Sequence, residues 1–474
     1  MPAQLKRTEN LSVAPGVSVS TSNSFSRLDE EEPTPSTSAA AGPTQEELSQ
    51  HYLLSLRLID AIANREPMAL IERLVVDERV DCWVQDEHSG WTSLHAAAYV
   101  DDNVDLLKLL LRKGNAVWNL VDHLGCSAGD IAFSMNHDKS YKFLHEEGVR
   151  AEMLRSVLED AELEQGAEDE EEEKEPAGGE DQEMSNDDNI VKEEEVPGPS
   201  TASDLKHYLS QPLTYTVDPN GQPICLDAEG NGVMMGWERE LMRETVRHML
   251  TSSEEEPTCW TDRKQLSRRE IEEQEAQGER EPLRVLNVGF GLGIIDSFFQ
   301  EYQPTSHLII EPHPSVLEFA EKEGWFEKPG VRFFKGTWQD WIARLERGEE
   351  EWAEFDAIYF DTYSEHYRDL RSFLSQTPNL LSSSNEQASV SFFNGLGATS
   401  RAFYDVYTTV SQLHMQEFGF RTEWHRVDVI WDREQEGGDV WESTGVRDGK
   451  QKKKYWEWDK AVGDYRLPIC RFDY

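Results

Sequence analysis

The chain has 474 residues, and its 92 acidic and 46 basic side chains give a formal net charge of −46 at pH 7. A chain of this length is expected to form two or three domains, because single hydrophobic cores stop growing at about 250–300 residues. The charge argues against general affinity for nucleic acid backbones or anionic membranes, and it favours basic partners.

Neither the cysteines nor the apolar residues indicate a secreted or membrane protein. The five cysteines are scattered without C-x-x-C spacing, so they support neither a disulfide framework nor a metal site. No stretch approaches the roughly 18–20 apolar residues of a membrane span. We therefore expect a protein of the cytoplasm and nucleus with no membrane contact and no direct nucleic-acid binding. Because no heptad pattern is present, we also expect a monomer.

The N-terminal third is predicted to contain a disordered segment and a helical repeat region. Residues 1–48 are rich in Ser, Thr, Pro and Ala, with too few large apolar groups to offset the entropy of ordering. Residues 49–155 are helical in pattern, and aligning Gly90 with Gly125 superimposes Ala97 on Ala132. The stretch GWTSLHAAA resembles the ankyrin signature, and Thr92 is predicted to cap its first helix.

Residues 156–204 contain a strongly acidic tract interrupted by Pro and Gly, EDEEEEKEPAGGEDQEMSNDDN followed by KEEEVPGPS. Low hydrophobicity and self-repulsion predict an extended linker. It is either a solvated spacer or a segment that attracts basic substrates, and the sequence leaves both possibilities open.

Residues 205–474 are predicted to form an α/β domain. A helix is predicted near 234–250, and from Leu283 onward buried strands alternate with amphipathic helices, which is the pattern of a doubly wound parallel sheet. The strands are RVLNVGF, HLIIE, VRFFKG, FDAIYFDT and ASVSFFNG. The two segments FRTEWHRVDVIW and YRLPICRFDY could add an antiparallel pair at one edge of this sheet.

A glycine turn follows the first of these strands. Gly289, Gly291 and Gly293 permit unusual backbone dihedrals and close approach to a ligand. Glu311 ends the next strand 20 residues beyond Gly291, where a carboxylate can meet the two hydroxyls of an adenosine ribose. The sequence therefore predicts a nucleoside cofactor. Ile294 stands where a strict dinucleotide fingerprint needs glycine, which disfavours NAD-dependent redox chemistry.

Several motifs in residues 205–474 resemble the guanidinoacetate methyltransferase-related class of enzymes. These are VMMGWERELM, NVGFGLGIID, EPHPSV, GTWQDW and FDTYSEHY. Combined with the ankyrin-like region, the chain resembles fungal type IV protein arginine N-methyltransferases, which modify the δ-nitrogen (N5) of arginine. The resemblance implies a multidomain fold class, in which an all-α ankyrin-repeat region precedes an α/β Rossmann-like class I methyltransferase domain that uses S-adenosyl-L-methionine.

The resemblance also implies a set of cofactor-binding residues, with no metal. They are Met234, Met242, Phe290, Gly291, Leu292, Gly293, Ile294, Ile295, Glu311, Pro312, His313, Gly336, Thr337 and Asp361. An upstream aromatic residue, Tyr215 in preference to Tyr208, should cover the cofactor. Asn287 departs from the acidic residue that many methyltransferases have two positions before the first glycine.

The resemblance assigns two acids, Glu238 and Asp361, to the guanidino group. Two carboxylates can grip a planar guanidinium through bidentate hydrogen bonds and fix the attacking nitrogen. Asp361 follows the apolar strand AIYF, at the carboxyl end of a strand, where folds of this type build their sites. Because arginine is almost never deprotonated in water, Asp361 could both clamp the cation and accept its proton.

These observations favour methylation of an arginine δ-nitrogen in a basic protein substrate, and the resemblance points to a large-subunit ribosomal protein. Two alternatives stay open. One is methylation of a small guanidino metabolite, and the other is an ankyrin scaffold whose cofactor-binding domain is not catalytic.

Overall fold

A helical region forms the N-terminal part of the structure. The computed structural model describes residues 45–172, 204–217, 222–251, 266–398, 400–428 and 464–473. The helices of this region are α1 (Gln45–Ala63), α2 (Met68–Glu72, continued by a π-helical turn Arg73–Asp77), α3 (Ser93–Val100), α4 (Val104–Lys113), α5 (Ala128–Ser134) and α6 (Asp138–Glu172). The sequence expectations for residues 1–44, 173–203 and 252–265 lie outside the described residues.

The predicted start of α3 is confirmed. The hydroxyl of Thr92 accepts a hydrogen bond from the backbone nitrogen of His95, and the His95 ring in turn accepts one from the Thr92 nitrogen. The small side chains of Ala96, Ala97 and Ala98 are fully buried, which allows close packing of α3 against its neighbours. Assignment of these helices to ankyrin repeats stays a prediction.

Helix α6 differs from the sequence expectation. An extended linker was predicted to begin at residue 156, yet the helix continues to Glu172. Asp160 forms an ion pair with Arg371, whose guanidinium also donates to the backbone oxygen of Ser156. Arg371, more than 200 positions away, thus holds the helix at residues 156 and 160, and local composition cannot reveal these contacts.

A short helix and a small antiparallel sheet precede the main sheet. They are α7 (Leu205–Ser210), β1 (Thr214–Val217), β2 (Pro223–Leu226) and β3 (Gly232–Met235), in the order β1-β2-β3. The helix predicted near 234–250 begins five residues later than expected, at Arg239. Met234 lies in β3, a 3-10 turn covers Gly236–Glu238, and α8 runs from Arg239 to Leu250.

The main sheet has seven described strands in the order β6-β5-β4-β7-β8-β10-β9. The strands are β4 (Arg284–Val288), β5 (Ser306–Glu311), β6 (Val331–Lys335), β7 (Ala357–Phe360), β8 (Ser389–Phe392), β9 (Phe420–Asp428) and β10 (Asp464–Phe472). The first five are parallel, and β10 and β9 form the antiparallel pair that was predicted at one edge. The sequence prediction of a doubly wound sheet is confirmed.

Helices cover the sheet and connect its strands. They are α9 (Arg268–Ala276), α10 (Ile294–Glu301), α11 (Pro314–Lys322), α12 (Trp338–Glu346), α13 (Tyr367–Leu380) and α14 (Arg401–Glu417). The chain proceeds from β4 outward to β6 and then returns to β7 on the other side of β4. A crevice forms where the strand order reverses in this way, outside the carboxyl ends of β4 and β7.

The N-terminal helices pack on α14. His145 contacts the hydroxyl of Thr409 at 3.0 Å, and the hydroxyl of Tyr141 donates to Asp405. The backbone approach is close, since a Cβ on Gly129 would lie 2.6 Å from the Cβ of Ala402. These contacts attach α5 and α6 directly to the domain that carries the main sheet.

Candidate active site

A cavity lies at the carboxyl ends of β4, β5 and β7, and about 630 Å³ of space, part of it open to solvent, lies within it. Six of the residues predicted from the sequence line it: Met234, Gly291, Glu311, Pro312, Thr337 and Asp361. They come from both sheets and from the loops that follow β4, β5, β6 and β7.

The other predicted residues lie behind or beside the cavity wall. Phe290, Ile294, Ile295 and Met242 are buried in the core beneath the glycine turn. The remaining predicted residues outside the lining are Tyr215, Glu238, Leu292, Gly293, His313 and Gly336. Several of these support the wall through hydrogen bonds.

The glycine turn takes the backbone close to the cavity. Gly289, Gly291 and Gly293 all have positive φ angles, of 94°, 55° and 68°. A Cβ on Gly289 would lie 1.9 Å from the backbone oxygen of Asp361, a separation that no side chain could adopt. The nitrogen of Leu292 donates to the sulfur of Met234 at 3.1 Å. The turn therefore needs glycine both for its dihedrals and for its close contact with the loop after β7.

Asn287 supports this turn from below. Its side-chain nitrogen donates to the backbone oxygen of Gly289 and to the carboxylate of Asp296, each at 2.8 Å. Asp296 is fully buried, and its carboxylate lies 3.0 Å from Nε2 of His307. An acidic group thus stands beneath the turn although residue 287 is an amide, because α10 supplies it.

Glu311 ends β5 with a buried carboxylate that binds two backbone nitrogens. It accepts hydrogen bonds from Phe290 at 2.9 Å and from His313 at 2.7 Å. Burial raises the pKa of this carboxyl to about 7, although these hydrogen bonds act to lower it. A carboxylate has about four acceptor positions, so two remain for hydroxyl donors of a ligand.

Of the two upstream tyrosines predicted from the sequence, Tyr208 lines the cavity and Tyr215 does not. The Tyr208 ring lies between the rings of His313 and Tyr363, with centroid distances of 4.7 and 5.0 Å. The backbone nitrogen of Ser315 donates to Nδ1 of His313, so Nδ1 carries no proton. Nε2 of His313 then donates to the backbone oxygen of Tyr208. Tyr215 stacks on Phe319 outside the lining. Tyr215 therefore lies outside this wall, and its contact with the cofactor stays a prediction.

The structure places Glu238 and Asp361 near one another. Glu238 is buried in the 3-10 turn that follows β3, and Asp361 lines the cavity directly after β7. Burial raises the pKa of Glu238 well above its ordinary value, and the charge of Asp361 raises it further. Burial also raises the pKa of Asp361 to about 7. The two acids therefore form an electrostatically coupled pair, and such a pair is stabilised in its ionised form by a cation.

Sequence reasoning missed part of the cavity wall. Glu365 accepts hydrogen bonds from Nε1 of Trp338 at 3.1 Å and from the hydroxyl of Thr362 at 2.5 Å. The other lining residues not proposed as ligands are Leu205, Val233, Val288, Gly289, Ile310, Val316 and Tyr363. The signal for Glu365 was its position in the FDTYSEHY motif, four residues after Asp361.

The charged groups in the wall are all acidic. Glu311, Asp361 and Glu365 line the cavity, and none of the described lining residues is Lys, Arg or His. No group of three or more His, Cys, Asp or Glu side chains in the described ranges is arranged to hold a metal ion. The wall is thus suited to a cationic ligand.

The residues present fit S-adenosylmethionine. The glycine turn brings backbone to the cavity, the Glu311 carboxylate has acceptor positions left for ribose hydroxyls, and Tyr208 and Trp338 offer aromatic surface. Residues 275–377 match the family model described as guanidinoacetate N-methyltransferase. Fold and site together define a Rossmann-like methyltransferase that uses S-adenosylmethionine.

Two relatives extend this likeness over most of the chain. Protein arginine N-methyltransferase 2 of Cryptococcus neoformans var. neoformans is 34% identical over 427 residues, which cover 88% of this chain and 95% of the relative. The protein of the same name from Neurospora crassa is 37% identical over 426 residues, which cover 82% of this chain and 89% of the relative. The chain belongs to the family of fungal protein arginine N-methyltransferase 2 proteins.

Solved structures are more distant. Spermidine synthase from Thermotoga maritima aligns with a TM-score of 0.32 and 11% identity, over 56% of this chain and 72% of that one. The fold assignment rests instead on the strand order and register described above.

Proposed function

We propose that this protein transfers one methyl group from S-adenosylmethionine to the internal δ-nitrogen of an arginine residue in a basic protein substrate. The observation that carries the proposal is the coupled pair of acids, Glu238 and Asp361, beside the cofactor cavity. The names of the relatives and of the matching family model support it, since both concern guanidino groups.

The two acids would position the nucleophile. A guanidinium entering beside Asp361 meets carboxylates from two directions, and charge-assisted hydrogen bonds to both would fix its plane. If the carboxylates take the N–H groups of the terminal nitrogens, the internal nitrogen is left to face the methyl group. That arrangement supports the δ-nitrogen over the terminal nitrogens.

Asp361 would also take the proton. The bound cofactor supplies an electrophilic methyl on a sulfonium, and its carbon–sulfur bond breaks as the nitrogen–carbon bond forms, with the electron pair passing to sulfur. The attacking nitrogen must then release a proton, and Asp361 is the member of the acid pair that lines the cavity. A pKa of about 7 before the cation binds makes this carboxylate a competent base near neutral pH.

The charge of the chain supports a protein substrate over a small guanidino acid. The net charge of −46 favours Arg/Lys-rich partners, such as proteins of the large ribosomal subunit. Guanidinoacetate and free arginine each carry a carboxylate that offsets the guanidinium charge, whereas an arginine within a polypeptide has lost its own carboxylate to a peptide bond.

The test is a methylation assay with labelled S-adenosylmethionine and purified basic ribosomal proteins, followed by fragmentation of the product in a mass spectrometer. We expect one methyl on the δ-nitrogen of an arginine. Guanidinoacetate and free arginine serve as competing substrates, and Asp361→Asn serves as the variant control. Turnover of either small molecule at an efficiency equal to that of protein would reject the protein substrate. Cofactor binding without transfer to any substrate would favour the scaffold alternative.

A further inference from the structure

The two acids of the site are carried by different sheets. Glu238 follows β3 of the small antiparallel sheet, and Asp361 follows β7 of the main sheet. Their separation therefore depends on how the hairpin of β2 and β3 is held over the cavity, where Val233 and Met234 form part of the wall.

One hydrogen bond ties the hairpin to the loop that carries Asp361. The hydroxyl of Tyr363 donates to Oδ2 of Asp227 at 2.9 Å. Tyr363 lies two residues after Asp361, and Asp227 is the first residue after β2. Asp227 is buried and is not part of the cavity lining.

Asp227 also organises the turn between β2 and β3. Its Oδ1 accepts from the backbone nitrogens of Glu229 at 2.9 Å and Asn231 at 2.7 Å, and its Oδ2 accepts from the side chain of Asn231 at 2.9 Å. Because three donors of its own turn hold this carboxylate, it cannot move freely with Tyr363. The tie therefore joins two ordered elements, the turn between β2 and β3 and the loop after β7.

We propose that Asp227 and Tyr363 are a positioning pair, which holds the β2–β3 hairpin across the cavity and so sets the distance between Glu238 and Asp361. The inference rests on the proposed function, because the acid pair is what it positions. β3 is thereby held at both ends, by the tie at its start and by the turn that carries Glu238 at its end. Loss of the tie lets the hairpin move, and Glu238 moves with it.

The Tyr363 ring has a second role that must be separated from the tie. It contacts Tyr208 and lines the cavity, so its removal would disturb the wall directly. Tyr363→Phe keeps the ring and deletes only the hydroxyl, and Asp227→Ala deletes the acceptor from outside the cavity.

The experiment measures kcat, KM and the cofactor Kd for Tyr363→Phe, Asp227→Ala and the double variant. We expect each single variant to lower kcat about tenfold, as loss of a hydrogen bond to a carboxylate allows, with the cofactor Kd changed less than about threefold. Because both variants break the same tie, the double variant should be no slower than the slower single one. Losses that multiply in the double variant, or a Tyr363→Phe rate within about twofold of wild type, would overturn the inference.

Two matched controls separate the tie from general damage. Asn231→Ala removes a contact of the turn and keeps the tie, so it should retain most of the activity. Tyr407→Phe deletes another tyrosine–carboxylate contact, to Glu152 at 3.4 Å, on the interface of α6 and α14. It should leave kcat unchanged. A loss in Asn231→Ala as large as in Asp227→Ala would mean that the fold of the turn, and not the tie, is what matters.

A second readout does not require turnover and so keeps this inference separate from the proposed function. In ligand-free protein we expect the thermal midpoint to fall as pH rises from 5 to 8, because burial raises the pKa of both acids and the charge of Asp361 raises that of Glu238 further. In Tyr363→Phe the two acids can separate and become hydrated. The fall of the thermal midpoint between pH 5 and 8 should therefore be smaller than in the wild type. An unchanged fall would overturn the inference even if the wild type proved inactive on every arginine substrate.

Discussion

The carboxylate of Asp130 in α5 accepts a hydrogen bond of 3.0 Å from the backbone nitrogen of Ala402 in the first turn of α14. The same carboxylate accepts from the backbone nitrogen of Ser127, at the start of its own helix, and from the hydroxyl of Ser400, at the start of α14. One side chain therefore caps two helices that lie 270 residues apart in the chain.

We expect Asp130→Ala to lower the free energy of unfolding by about 2 kcal/mol, since each lost cap is worth about 1 kcal/mol. Urea denaturation measures this change. Asp105→Ala is the control, because its side chain is 87% exposed in the first turn of α4, and it should change stability by less than about 0.5 kcal/mol. Equal effects in the two variants would show that the cap of α14 contributes nothing.

Gly289→Ala should destabilise the protein by about 3 kcal/mol or more and abolish cofactor binding, because the new Cβ would displace the loop that carries Asp361. Calorimetric titration and thermal unfolding measure the two effects. Gly278→Ala separates the clash from the dihedral strain. Its φ of 69° is also positive, but no atom lies within 4 Å of its Cβ position, so a loss of about 1 kcal/mol is expected.

Glu311→Gln should weaken cofactor binding by about 10-fold or more. The amide keeps one acceptor but turns an NH2 group toward either Phe290 N or His313 N, each of which is itself a donor. Equilibrium binding of S-adenosylmethionine measures the loss. Glu318→Gln on the exposed side of α11 is the control and should bind normally. Normal binding by Glu311→Gln would mean that the hydrogen bonds of this carboxylate to Phe290 and His313 are not needed for the cofactor site.

Asp361→Asn should stabilise the ligand-free protein at pH 8 and not at pH 4. Burial in the folded state raises the pKa of Asp361 from 3.8 to about 7. Between these two pH values, folded Asp361 keeps a proton that the unfolded chain releases. Stability of the wild type therefore falls as pH rises, while the asparagine variant has no such proton to lose.

The expected gain for Asp361→Asn at pH 8 is about 1–3 kcal/mol, reduced from the full shift because the side chain opens to the cavity. Urea denaturation at the two pH values measures it. The same variant should lose methyl transfer while keeping measurable cofactor binding. A stability difference that does not depend on pH would contradict the raised pKa that burial gives Asp361.

The main sheet was predictable because each of its parallel strands is a short apolar run followed by turn residues. The β1–β3 sheet was missed, since its strands have only four residues each and their pairing is not visible in local periodicity. The turn Gly230-Asn231-Gly232 was the available signal. Tyr208 was ranked below Tyr215 for a similar reason, because only tertiary packing decides which of them faces the cavity.

The site was predictable to the extent that its residues end strands of the main sheet. Glu311 and Asp361 each hold such a position, and both line the cavity. Asp227 had no signal of this kind. It lies 136 positions from Tyr363, and its role depends on a contact between two sheets of which one was not predicted.

The packing of α5 and α6 on α14 bears on how this protein can evolve. The helical region is joined to the domain of the main sheet by side chains such as Asp130, His145 and Asp160, and not only by the chain between Glu172 and Asp204. Because each of these contacts needs a partner on the other side of the interface, a substitution at one position is tolerated best when the residue it contacts changes with it.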